Sequence, residues 1–139
     1  MRPNPEQQVL SEEQGLLVDT RLGEAIFLFN SGDWYACHDG FEALWHETAG
    51  PMRPVLQGIL QIAVAELHLE RGNCRGATIL MGEGLGRLKA CPPNALEIDL
   101  VALINLSMQR LLALQRQSSI EGLELPRLVE TPPHNRSAD

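Results

Sequence analysis

The residues best suited to chemistry in this chain are a few histidines and carboxylates at helical spacing. His38, Glu42 and Trp45 lie within one short stretch, and a helix advancing about 100° per residue puts them on one face. At i, i+4 an imidazole and a carboxylate can meet, or both can reach one metal ion. A second set follows in Gln57, Gln61 and His68, which fall within about 40° of each other on the wheel. The rest of that wheel is mostly aliphatic, so the stripe belongs to a central helix and cannot all face water. A buried polar group without a partner costs roughly 2–7 kcal/mol. The preceding helix, joined by a short connection, is the expected source of partners.

Two histidines and a carboxylate can form a facial triad with positions open for water and substrate. One divalent metal ion held by His38, Glu42 and His68 would acidify its bound water and give a nucleophile near neutral pH. In a variant of this scheme Glu42 is the catalytic base and the two histidines hold the ion. Gln57, Gln61, Trp45 and Asn73 would then orient the ligands or contact a small-molecule substrate. The competing reading makes His38, Glu42, Gln61 and His68 a closed hydrogen-bond network that fixes how two helices pack, without catalysis. Neither an acidic loop nor a His-Glu-x-x-His signature supplies a fourth strong ligand. Glu66 and Glu70 point elsewhere on the wheel and stay outside the expected site.

Helices are the elements that must position these groups. Ser11 to Gln14 reads as a capping-box start for a first helix reaching Asn30, with Leu22, Ala25, Ile26 and Phe29 on one stripe and Gly32 as the stop. The pattern then predicts helices from Trp34 to Ala49, Pro54 to Arg71, Asn73 to Lys89, and Asp99 to about Gln117. No period-two alternation competes. The expected fold is all-α, a single-domain, bundle-like array of about five helices over residues 11–121. Residues 1–10 are expected to be a flexible arm and 122–139 an extended or disordered tail, with Leu125, Leu128 and Val129 able to dock.

At 139 residues with 44% hydrophobic content the chain suits one globular domain. Its net charge of −7 argues against nucleic acid or an anionic membrane as partner. No apolar run approaches the roughly 20 residues of a membrane span, and no signal-peptide core is present. Cys37, Cys74 and Cys91 form no paired motif, so the expected location is the reducing cytoplasm. The apolar faces of the first and fifth helices would tolerate a homo-dimer.

Smaller features read as structure. All six aromatic residues fall between Phe27 and Trp45 and are expected to pack in the core. Gly82, Gly84 and Gly86 lack phosphate-loop spacing and mark close helix approach or a kink. Cys37 and His38 are adjacent, diverge on a helix, and make no nucleophilic pair. His46 and His134 are expected to face solvent.

The motifs together resemble the DUF309 proteins, a bacterial and archaeal group also labelled predicted metal-dependent hydrolases. That family joins a Phe-Asn-x-Gly segment and a His-x-x-x-Glu-x-x-Trp turn to a later Gln-Gly-Leu-Ile-Gln and His-x-x-x-Gly-Asn. Here these are Phe29-Asn30-Ser31-Gly32, His38 to Trp45, Gln57-Gly58-Ile59-Leu60-Gln61, and His68-Leu69-Glu70-Arg71-Gly72-Asn73. The resemblance spans roughly residues 22–90. It departs at Cys37-His38-Asp39, where Ala-His-Glu is usual, and at Gly40, where a better helix former is expected. It implies an all-α bundle and, through its label, metal-dependent hydrolysis.

Overall fold

The computed structural model describes residues 4–132. Among them are six α-helices, α1 (Pro5–Leu17), α2 (Thr20–Asn30), α3 (Trp34–Glu47), α4 (Arg53–Glu70), α5 (Cys74–Lys89) and α6 (Leu100–Gln115), with a 3-10 turn at Ala95–Glu97. The all-α, bundle-like fold expected from periodicity is the one observed. Successive helices pack on each other from α2 to α6, and α4 lies between α3 and α5.

The expected first helix is in fact two. Asp19 accepts the backbone N–H of Arg21 and caps α2, so its carboxylate competes with helix continuation and separates α1 from α2. The start also moves. Asn4 and Gln7 form the capping box, with Pro5 in the first turn, so the helix begins six residues before Ser11, inside the expected arm.

Glu12 and Glu13 serve two loops rather than a helix start. α4 has no capping side chain of its own; the Glu12 carboxylate accepts the N–H groups of Gly50 (2.8 Å) and Met52 (2.6 Å) just before it. Glu13 accepts the N–H of Leu96 at 2.7 Å, where Leu96 holds a left-handed φ of 57°.

The core runs along α4, where Val55, Leu56, Ile59, Ile62 and Ala63 are fully buried. Phe29 and Trp34 meet edge-to-face at 5.0 Å, and Phe41 is fully buried in the same core cluster. The aromatic cluster is only partly core: Phe27 and Tyr35 are 70% and 61% exposed. Two helix crossings depend on missing side chains. A Cβ on Gly40 would stand 3.2 Å from the Cβ of Ala25, so this glycine lets α2 approach α3 and is more than a weak helix former. Gly84 lies 2.9 Å, by the same measure, from the carbonyl oxygen of Gly58, bringing α5 against α4.

α6 ends with Gln117 at φ 55°, and the N–H of Ser118 returns to the Ala113 carbonyl at 2.8 Å. This is a left-handed C-cap occupied by a side-chain-bearing residue, a conformation costing roughly 1–2 kcal/mol outside glycine. The chain then runs back extended along α2 and the 93–99 loop, and Leu128 is buried. Residues 133–139, His134 among them, lie outside the described residues.

Candidate functional site

α3 presents the first expected set together. His38 Nε2 lies 2.8 Å from Glu42 Oε2, and His46 Nε2 lies 3.7 Å from Glu42 Oε1. The other nitrogen of His38 is 3.2 Å from Asp39 Oδ1. The row is half-exposed, with side-chain exposures of 31% for His38 and 43% for Glu42. Trp45 flanks it, its ring under the Arg53 guanidinium at 4.3 Å and against His46 at 4.8 Å. The indole Nε1 is buried and unpartnered among the described residues. His46 faces solvent as expected, yet it belongs to this row, which its i+4 spacing from Glu42 would have disclosed.

The second set faces a different neighbour. Gln61 is held at both ends by α5: its amide donates to Glu83 at 3.0 Å, and Arg87 Nε donates to its carbonyl at 2.9 Å. His68 Nδ1 lies 3.2 Å from Asn73 Nδ2, and the Asn73 carbonyl caps α5 by accepting the Gly76 N–H. Gln57 is half-buried on the same stripe. The partners expected from the preceding helix therefore come from the following helix and from the α4–α5 corner. The physical reason is the small-residue contact of Gly58 and Gly84, which turns this face of α4 toward α5.

A three-ligand metal set does not fit this arrangement. Both nitrogens of His38 meet carboxylates, and His68 is engaged at the corner with Asn73. Among the described residues no group of three or more His, Cys, Asp or Glu side chains is placed to hold a metal ion. His38, Glu42, Gln61 and His68 are likewise three local sets and not one closed network.

Glu66, which the wheel puts outside the expected site, makes the most deeply buried ion pair among the described residues. Glu66, about 180° from Gln57 on the wheel, accepts from Arg110 Nε at 2.7 Å and Nη2 at 2.6 Å. They are 2% and 4% exposed. A charged residue on the aliphatic arc of α4 and an arginine among the leucines of α6 were the available signal. The pair is bidentate and joins α4 to α6.

Cys37 is fully buried, and burial, assisted by Asp33, pushes its thiol up to about 12. Cys74 is exposed. Iodoacetamide should therefore modify Cys74 at least ~100-fold faster than Cys37 in the native protein; peptide mass spectrometry showing equal rates would overturn that assignment.

The comparisons bear on the same block. Residues 22–80 match the model of a family described as "Domain of unknown function (DUF309)". The match runs from α2 into α5 and supports the resemblance carried by Phe29-Asn30, His38 to Trp45, Gln57 to Gln61 and His68. No curated protein matches the chain. The DUF309 description names no reaction. No helix of the described residues is long and apolar enough to cross a membrane.

Proposed function

We propose that this DUF309-like chain is a non-enzymatic binding or assembly module whose polar residues fix its packing and shape one recognition face on α3. The observation that carries this reading is Gln61, gripped by Glu83 and Arg87 of α5. With Gln61 turned to α5 and His68 paired with Asn73, these two members of the α4 polar stripe are satisfied by local structure. What α3 leaves at the surface is His38, Asp39, Glu42 and His46 beside the Trp45–Arg53 stack, a mixture of charge and aromatic surface suited to a polar partner.

One observation favours a second reading, metal-assisted hydrolysis of a small substrate with Glu42 as base: the 2.8 Å approach of His38 to Glu42 on a half-exposed face. The two separate on metal content. Untagged protein equilibrated with zinc or manganese and passed through a desalting column should retain no stoichiometric metal by plasma mass spectrometry. Glu42→Ala should move the imidazole resonances of His38 and His46 and leave those of His68 in place. A stoichiometric ion lost from both His38→Ala and His68→Ala, with the fold kept, would overturn this reading in favour of a metal site.

A further inference from the structure

The segment after α6 is bound in the manner of a peptide ligand. The side-chain amide of Asn30 donates to the Leu128 carbonyl at 2.9 Å and accepts the Leu128 N–H at 2.8 Å. Across the segment, the N–H of Asp99 donates to the Val129 carbonyl at 2.8 Å, and the N–H of Thr131 donates to the Glu97 carbonyl at 2.9 Å. Ile98 and Glu130 form an isolated antiparallel bridge. The groove therefore reads backbone on both sides and buries the apolar side chains of Pro126 and Leu128, Leu128 next to a cavity of about 330 Å³ lined by Leu22, Ile26, Leu96 and Ile98. This is strand addition to a slot made by one asparagine and one loop edge.

The connection that delivers the segment carries a side-chain-bearing residue in the left-handed region. It leaves α6 through Gln117 at φ 55°, turns again at Gly122 at φ 83°, and is exposed from Arg116 to Ser119. Its residues include Arg116 and Gln117, good helix formers that would extend α6 if the turn opened.

We propose that the groove between α2 and the 93–99 loop also accepts the Glu124–Thr131 segment of a second copy of this chain, giving a strap-exchanged dimer. Every contact made within one copy is made again between copies, and only the turn changes; straightening it releases the left-handed Gln117 in both. The tethered segment competes at a local concentration in the millimolar range, so exchange appears when the protein is concentrated to about 1 mM. The proposal does not depend on the role given to α3.

The test uses the full chain, with size exclusion and light scattering after days at about 1 mM. The native chain should yield a slowly separating dimer, and Gln117→Gly should lower the dimer fraction roughly fivefold. Deleting Ser119, Ile120 and Glu121 removes about 10 Å of reach, which should make the dimer dominant at micromolar protein. Leu128→Asp added to that deletion should return it to monomer. A folded deletion variant that stays monomeric, or a dimer that Leu128→Asp leaves intact, overturns the proposal. So does a native chain with no dimer at all, or one whose dimer fraction ignores Gln117→Gly; these two results stand even if the deletion variant does not fold.

Discussion

Replacing Arg110 with Met is expected to lower the unfolding free energy by about 3–5 kcal/mol. The substitution removes both hydrogen bonds to Glu66 and leaves a carboxylate that is 2% exposed without a counter-charge. An uncompensated buried charge is among the most damaging changes a core can suffer. Arg110 Nη1 also reaches the Leu123 carbonyl at 3.4 Å, so the connection after α6 loosens as well. Urea unfolding followed by circular dichroism measures the loss. Removing both charges has a different expected result: Glu66→Leu with Arg110→Met should be near neutral or stabilising by about 1–4 kcal/mol, because two desolvation penalties vanish with the attraction. A loss below about 1 kcal/mol for Arg110→Met alone would mean that water reaches the pair.

Gly84→Ala is the second change with a large expected effect. Its Cβ would meet the Gly58 carbonyl oxygen at 2.9 Å, with Gln61 Cβ and Ile62 Cγ1 at 3.2 Å. The nearest obstacle is backbone, so α5 must move away from α4, and overpacking of this kind costs about 1–3 kcal/mol. The glycines on either side give the internal control. Nothing lies within 4 Å of a Cβ built at Gly82 or Gly86, so Ala at either site should stabilise by about 0.5–1 kcal/mol through helix propensity. Thermal melts of the three variants separate the two effects in sign. Equal stabilisation at all three positions would show that the α4–α5 approach is looser than the structure has it.

Both features are only partly legible in the sequence. The glycine run reads as close approach or a kink, since three glycines in a helix need a reason, and only the packing shows that Gly84 is the one that meets backbone. The wheel places Glu66 away from Gln57 and Gln61. That its direction led into the core required α6, whose Arg110 lies 44 positions later and whose packing no local window contains.

The sequence by itself determined what depends on neighbours along the chain. The 3.6 period produced α3 to α6 nearly in place, and Asn73, Asp99 and Gly72 behave as caps because capping acts over three or four residues. The same locality makes the His38–Glu42 contact readable, as an i, i+4 pair on one helix. Tertiary structure decided which faces meet. It turned Gln61 toward α5, set Glu12 and Glu13 on loops 38 and 83 positions away, and gave Asn30 the backbone of Leu128 to hold. These pairings arise from the packing of whole helices, where small residues set approach and rotation, and that information is spread over segments the wheel treats one at a time.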